Sequence, residues 1–373
     1  MQKIKFSIPN ISSQDVKIVG KILKSGWLTH GKYTDLFEKK IKDFTKSKYA
    51  LAVSSCTAGL HLSCLASNFK KGDEVIVPAQ THTATAHAVE YTGAKAVFSD
   101  VDFPSGNMTL EQLKKKLTKK TKGVIIVHMA GYACEIKKIS SFCKKKKIIL
   151  IEDCAHALGT YENRTHAGNF GVSGNFSFYP TKQITTGEGG MIITNSKKFY
   201  NKVRILKAFG IDKDIKDRKK QGDYDVKLLG LNYRMTDFQA ALGYKQIISY
   251  RKNLRRRHQI AKKYIQNFSK SKLIKYMPYS SNSSYFIFQI FCKNRDLLLK
   301  HLKNKNIGVS VHYTKPVPEM TYYKKKYNLK KKNYKNSYIY GKTNISLPIY
   351  PKLKNFEIDL ISKTIIKFLS NEK

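Results

Sequence analysis

Between residues 50 and 195, short apolar runs alternate with stretches of helical character, and no other feature constrains the fold as much. The runs are Glu74-Val-Ile-Val, Lys95-Ala-Val-Phe, Gly123-Val-Ile-Ile-Val, Lys147-Ile-Ile-Leu-Ile, Asn175-Phe-Ser-Phe and Met191-Ile-Ile-Thr. Segments 81–92, 109–119 and 135–146 separate the first four and are long enough for crossover helices. A strand that is apolar at successive positions is buried on both faces. The pattern therefore predicts an α/β fold with a mostly parallel central sheet covered by helices. Sheets of this kind bind ligands at the carboxyl ends of their strands. Asp153, which closes Ile148-Ile-Leu-Ile-Glu-Asp153, falls at such an end.

A chain of 373 residues predicts more than one domain. Helical spacing runs from Asp237 through Arg257 and on to Phe268, long enough to leave one unit and enter another. Beyond it, the apolar run from Tyr285, the helix-like stretch 296–303 and the segment 308–313 predict a small α+β unit. The tail 355–368 sets Ile358, Ile361, Ile365 and Phe368 on one helical face. The expected division is a large α/β domain over 1–245 and a smaller C-terminal α+β domain over 246–373. Residues 1–30 are free to pack on the smaller one. Residues 211–227, polar and charged, read as a long loop.

The formal net charge of +44 raises the question of nucleic acid. The excess is nearly all lysine, sixty-one residues against nine arginines, spread in short runs. Specific base and phosphate recognition favours the arginine fork, and no zinc-finger or RNP signature accompanies the charge. The expectation is no specific nucleic-acid partner, with a positive field that draws in anionic substrates. The six cysteines have neither C-x-x-C pairing nor even spacing, which predicts reduced thiols, no metal and a cytoplasmic setting. No stretch has the length and apolarity of a bilayer span, so no membrane partner is expected.

Lys182 lies in Phe176-Ser-Phe-Tyr-Pro-Thr-Lys182-Gln-Ile-Thr-Thr-Gly-Glu-Gly-Gly190, between an aromatic-rich strand and a glycine-rich turn. A lysine held there directs its amine at a cleft. Together with the strand-end carboxylate of Asp153 it supplies two handles for pyridoxal phosphate. The amine forms a Schiff base, and the acid keeps the ring nitrogen protonated so that the ring withdraws electrons.

The segments Ser54-Ser-Cys-Thr-Ala58, Asp73-Glu-Val-Ile-Val-Pro78, Ile151-Glu-Asp153, Ser177-Phe-Tyr-Pro-Thr-Lys182, Gly187-Glu-Gly-Gly190 and Leu231-Asn-Tyr-Arg-Met235 occur in one order. In that order the chain resembles the DegT/DnrJ/EryC1/StrS family of sugar aminotransferases. Ser25-Gly-Trp-Leu-Thr29 and Leu347-Pro-Ile-Tyr-Pro351 extend the resemblance to nearly the whole length. It implies a fold-type-I transferase that uses pyridoxal 5′-phosphate.

By residue, the resemblance implies that Thr57 and Ala58 hold the cofactor phosphate, at a helix start that also suits an N-cap. Ser177 adds a hydroxyl, and Asn232 reaches the phosphate from a neighbouring subunit, which implies a homodimer with shared sites. His82 takes the place of the aromatic residue stacked on the pyridine ring. His156 stands where glutamine usually approaches the 3-hydroxyl, and Cys56 stands where glycine is common. Thr29, Arg234 and Tyr313 lie where the family puts groups near the sugar, although the continuation after Tyr313 departs from the usual pattern.

Lys182 and Asp153 are then the catalytic pair. The implied reaction moves an amino group from glutamate to a nucleotide-linked keto-deoxysugar for amino-sugar and surface-polysaccharide synthesis. The alternatives are a pyridoxal-phosphate dehydratase or lyase on the same fold, and a basic nucleic-acid-binding regulator. Relatives of the dehydratase type lack the lysine.

Overall fold

The computed structural model describes residues 3–213, 220 and 222–371. Its strands up to residue 194 are β1 (Tyr49–Val53), β2 (Glu74–Pro78), β3 (Lys95–Ser99), β4 (Thr121–Val127), β5 (Ile149–Asp153), β6 (Tyr161–Glu162), β7 (Thr165–His166), β8 (Ser173–Ser177) and β9 (Gly190–Thr194). Among the described residues, seven of them form one sheet in the order β1-β9-β8-β5-β4-β2-β3, and β6 and β7 pair apart from it. The neighbours from β8 to β3 are parallel, and β9 is antiparallel to both β1 and β8. The mostly parallel sheet expected from the apolar runs is what the chain forms.

The helices are α1 (Ser13–Ser25), α2 (Lys32–Thr45), α3 (Cys56–Ala66), α4 (Thr83–Glu90), α5 (Leu110–Lys114), α6 (Ile136–Lys146), α7 (Lys197–Leu206), α8 (Asp237–Phe268), α9 (Arg295–Asn304), α10 (Thr321–Tyr327), α11 (Lys335–Thr343) and α12 (Asn355–Asn371). None in the described residues is long and apolar enough to cross a membrane. Of the expected crossover helices, the one over 109–119 is cut short at Lys114. Thr109 caps it, but Thr118 turns back to Thr121 and donates to Glu74 Oε2 at 2.6 Å, steering the chain into β4. Glu111 offsets one lysine of this run, Lys115, and the like charges around it do not favour further turns.

Glu152 breaks the apolar run of β5 and is fully buried. Its carboxylate accepts from His128 Nε2 (3.1 Å) and from the backbone N–H groups of Gly168, Phe170 and Gly171 (2.7–2.8 Å). A buried carboxylate persists only with such partners. These bonds bring the 168–171 turn against β5 and so start β8 alongside it.

A second core gathers around the far half of α8. Ile260, Tyr264 and Phe268 pack with Ile358, Ile361 and Ile365 of α12 and with an antiparallel sheet of β10 (Lys275–Tyr276), β11 (Phe288–Phe291) and β12 (Asn344–Leu347). The segment 308–313 forms no strand of this sheet among the described residues; it joins through a bridge from Ser310 to Ser346 and through His312, whose N–H donates to Asn344 Oδ1 at 3.1 Å. Ile4 bridges to Ile307 and is buried in the same core, while α1 packs along α8. Val317, Tyr323 and Tyr334 instead return to the first sheet, against Val75 and Phe98. Of the expected loop 211–227, Ile211 bridges Val226 and Asp212 N–H donates to Asp225 O, whereas 214–219 and 221 lie outside the described residues.

Candidate active site

β1, β5 and β8 end on one edge of the sheet, and β9 begins there. Val53 and Ser177 both lie opposite Gly190, and Asp153 lies opposite Asn175. A Cβ on Gly190 would stand 2.5 Å from Ser55 carbonyl carbon, so only glycine lets the turn after Lys182 approach the start of α3 so closely. The Lys182 loop is braced from α8. Gln246 accepts from Thr185 N–H (3.0 Å) and donates to Thr185 O (2.7 Å). Gln183 ties the same loop to His156 O and Ser284.

Lys182 is half-buried, with Nζ 4.3 Å from the centre of the Phe286 ring. Burial brings its pKa down to about 8, against the opposing pull of Cys56 and Asp153. A fraction of the amine is therefore neutral near physiological pH, as a base or nucleophile must be. Asp153 is 4% exposed; Thr85 Oγ1 donates to its Oδ2 (2.8 Å) and Ala155 N–H to its Oδ1 (3.0 Å). Burial raises its pKa, while those two bonds and the charges of Lys182 and His82 work to lower it.

Two histidines flank the pair. His156 is 3% exposed, stacks on Phe286 at 4.2 Å and leaves Nδ1 with no hydrogen-bond partner. Burial, with Lys182 nearby, holds it neutral, its pKa well below the usual imidazole range. His82 is exposed, caps α4 by accepting from Ala84 N–H (3.2 Å) and stands edge-on to Tyr313, ring centres 5.7 Å apart. His312, half-buried and brought down to about 3 mainly by desolvation, sits edge-on to His156.

Ser55 caps α3, its Oγ accepting from Ala58 N–H (3.0 Å), so that N–H is shared with the cap; Thr57 is partly exposed one residue earlier. Cys56 Sγ lies 3.4 Å from Asn175 O and 4.0 Å from Asp153 Oδ1. Ser177 Oγ accepts from Tyr179 N–H (3.4 Å). Lys182, Asp153, His82, His156, Tyr313 and Cys56 form one electrostatically linked group.

Asn232 and Arg234 are joined to each other, Arg234 Nε donating to Asn232 Oδ1 (3.2 Å). Arg234 bridges Val53, and Ser54 N–H donates to Tyr233 O, so the segment 232–234 runs beside the start of α3. Asn232 itself is exposed. Thr29 is exposed and bonds to His30, its neighbour in sequence. Neither Thr29 nor Asn232 is brought into the Lys182 group within one chain by a hydrogen bond of the described residues.

Thr85 and Phe286 are site residues that sequence reasoning missed. His128, Glu152 and Cys154 have the proximity of a metal cluster. Both His128 nitrogens and the Glu152 carboxylate are, however, engaged with Cys134 N–H, with each other and with the 168–171 turn. His128 and Glu152 are thereby parts of a structural network.

The residues present fit pyridoxal phosphate. A partly neutral amine, a buried carboxylate and an unpartnered imidazole nitrogen converge at the mouth of an α3 amino end.

The model of the DegT/DnrJ/EryC1/StrS aminotransferase family matches residues 9–366. GDP-perosamine synthase of Escherichia coli O157:H7 is 33% identical, with 98% of this chain and 98% of that protein covered. The spore coat polysaccharide biosynthesis protein SpsC of Bacillus subtilis is 32% identical over 96% of this chain and 95% of its own. Among solved structures, the putative sugar aminotransferase Spr1654 of Streptococcus pneumoniae in its PMP form superposes with a TM-score of 0.93 at 29% identity, covering 99% of both chains. Its PLP form gives 0.92.

Proposed function

The chain belongs to the DegT/DnrJ/EryC1/StrS aminotransferase family, and on that premise we propose that it transfers an amino group from glutamate to the keto carbon of a nucleotide-linked deoxysugar. It is a sugar aminotransferase dependent on pyridoxal phosphate. The single observation that carries the reading is the half-buried Lys182 amine, lowered to about 8, in electrostatic contact with the buried carboxylate of Asp153.

Pyridoxal phosphate, when bound, supplies the electron sink for the transfer. Lys182 would hold it covalently and Asp153 would hold its ring nitrogen. Thr57, Ala58 and Ser177 would hold its phosphate, His82 would cover a ring face and His156 would donate to the 3-hydroxyl. Once free, the Lys182 amine removes a proton from the donor's α-carbon and returns one to the acceptor carbon. The buried surroundings keep that amine from being fully protonated by solvent. Asp153, held in place by Thr85 and Ala155, maintains the opposing negative charge. Thr29, Arg234 and Tyr313 are proposed to meet the sugar.

The proposal includes a homodimer in which Asn232 of the partner subunit completes the phosphate site. Support comes from the apolar side chains that one chain leaves exposed beside Asn232: Phe209, Val226, Leu228 and Leu229, the last 95% exposed. We also keep a division near residue 245 into a cofactor domain and a smaller one, supported by the separate core around the far half of α8. A cytoplasmic setting is supported by six buried, unpaired thiols.

Glutamate added to the cofactor-loaded protein tests the reading. The visible cofactor band should convert to the pyridoxamine spectrum, and nucleotide-linked ketosugars should restore it. Failure to convert with any amino acid, or conversion that no ketosugar reverses, removes the proposal in favour of a lyase or dehydratase.

A further inference from the structure

The charge of +44 is unevenly distributed. Residues 111–147 and 324–335, forty-nine in all, hold nineteen lysines, no arginine and two acids, Glu111 and Glu135. They carry +17, whereas the other 324 residues together carry +27. Both acids are already paired, with Lys115 at 2.5 Å and Lys138 at 2.6 Å.

The fold draws these segments to one place. Lys119, Lys120 and Lys122 stand where β4 begins, and Lys144 to Lys147 close α6 just before β5. Lys114 Nζ lies 5.5 Å from the Phe142 ring centre and Lys116 Nζ 5.6 Å from that of Tyr334, joining α5, α6 and the 331–334 turn. Lys95, at the start of β3, lies 5.7 Å from Tyr327, and Lys70 and Lys71 precede β2. All of this is the amino-terminal edge of the sheet, opposite the edge that carries Asp153 and Ser177.

A cleft of about 480 Å³ opens on the same edge, between the starts of β5 and β8 and helix α7. Ile149, Phe170 and Phe199 give it apolar walls, and exposed Lys144 and Lys198 stand at its rim. The hydroxyl of Ser67, which also lines it, is buried with no hydrogen-bond partner.

We propose that this edge docks the protein on a bilayer of anionic lipid, with the cleft receiving the apolar part of one lipid and the lysines its neighbours' headgroups. Lysine is a compact point charge that suits a plane of headgroups, and clusters of this size bind anionic leaflets electrostatically. Nucleic acid would call for arginine forks or stacking aromatics along a groove, and would leave an apolar cleft unused. Docking through this edge leaves the Lys182 edge open to soluble substrates. The sequence expectation of no membrane partner rested on the lack of a spanning stretch, a requirement that peripheral attachment does not have.

Sedimentation of the full, cofactor-loaded chain with vesicles of phosphatidylcholine alone, or mixed with phosphatidylglycerol, tests the proposal. Binding is expected only with the mixed vesicles and should fade as salt rises. Combined Lys144→Glu, Lys145→Glu, Lys146→Glu and Lys147→Glu should lower partitioning by more than about tenfold. The same reversal of Arg251, Lys252, Arg255 and Lys262 on α8 should lower it far less. Melting temperature and transamination serve as folding controls, and Lys119→Gln with Lys120→Gln is the milder variant should the quadruple one unfold. Monomeric short-chain phosphatidylglycerol should raise the melting temperature of the native chain, and Ser67→Trp should abolish that shift. Equal losses from the two reversals, equal binding to neutral vesicles, preference for duplex DNA at matched salt, or no shift with the short-chain lipid would each overturn it.

Discussion

Lys182 and His156 meet on one aromatic ring: Lys182 Nζ stands 4.3 Å from the centre of Phe286, and the His156 imidazole stacks on it at 4.2 Å. An ammonium gains from a ring face, so Phe286 favours the charged form of Lys182 while burial opposes it. Burial, against the pull of Cys56 and Asp153, brings the amine's pKa to about 8, and the ring adds its own preference for the ammonium. Phe286→Leu preserves the burial and removes the ring. The pKa should then fall further, by about 0.4–1.5 units for a contact of about 0.5–2 kcal/mol. The pH dependence of Lys182 acylation in cofactor-free protein, read by mass spectrometry, measures it; an unchanged or raised value contradicts this account.

Lys182→Ala should remove both the covalent attachment and the proton carrier. The visible band of the bound cofactor should vanish, and turnover should fall by at least about 100-fold, the usual minimum for a positioned acid–base group. The melting temperature of the cofactor-free variant should hold or rise, because a half-buried amine with a depressed pKa contributes nothing to stability at neutral pH.

Asp153 has a folded pKa raised by burial above its ordinary value of 3.8. Its contribution to stability is therefore fully present below the unfolded value and is lost as pH rises through the folded one. Asp153→Asn should remove that dependence and make the cofactor-free protein more stable at pH 7, by about 0.5–2 kcal/mol, a range typical when a functional group is sacrificed. Activity should drop by at least about 100-fold. Urea unfolding at several pH values checks both the sign and the window.

The strands were legible because parallel strands buried on both faces are apolar at most successive positions, and Lys182 and Asp153 share an edge because Asp153 ends β5 and Lys182 follows the end of β8. Glu152 and Asp153 read alike in sequence. Alternation along β5 sends Glu152 to the 168–171 turn and His128, and leaves Asp153 for the cleft. Thr85 looks like a helix-interior threonine until α4 is laid beside β5. Phe286 reads as one more core aromatic before β11, and its meeting with Lys182 depends on how the second core docks. The early end of α5 lay beyond pattern reading because it is set by a tertiary bond from Thr118 to Glu74.

Gln246 holds the Lys182 loop to α8 through two bonds to Thr185, both buried. Gln246→Ala would leave a buried N–H and a buried carbonyl without partners, at about 1–3 kcal/mol for each such group. The expected result in urea is a loss of about 2–4 kcal/mol, together with a weaker hold on the cofactor. A loss below about 0.5 kcal/mol would mean that water replaces the clamp.

The proposed dimer separates two roles that lie close together on the chain. Leu229, 95% exposed among Phe209, Val226 and Leu228, has no reason to stay apolar unless another surface covers it. Asn232, exposed three residues on, is held in one chain by Arg234 alone among the described hydrogen bonds. Leu229→Asp should put an uncompensated charge into the interface, shift light scattering from dimer to monomer and weaken cofactor retention as a consequence. Asn232→Ala should leave the dimer intact and weaken the cofactor by about 1–3 kcal/mol, the cost of a lost charge-assisted bond to phosphate. Mixing Asn232→Ala protein with Lys182→Ala protein decides whether sites are shared. With sharing, each heterodimer has one site that keeps Lys182 and faces a partner subunit with an intact Asn232, so part of the activity returns. Without it, each chain keeps its own defect and mixing restores nothing.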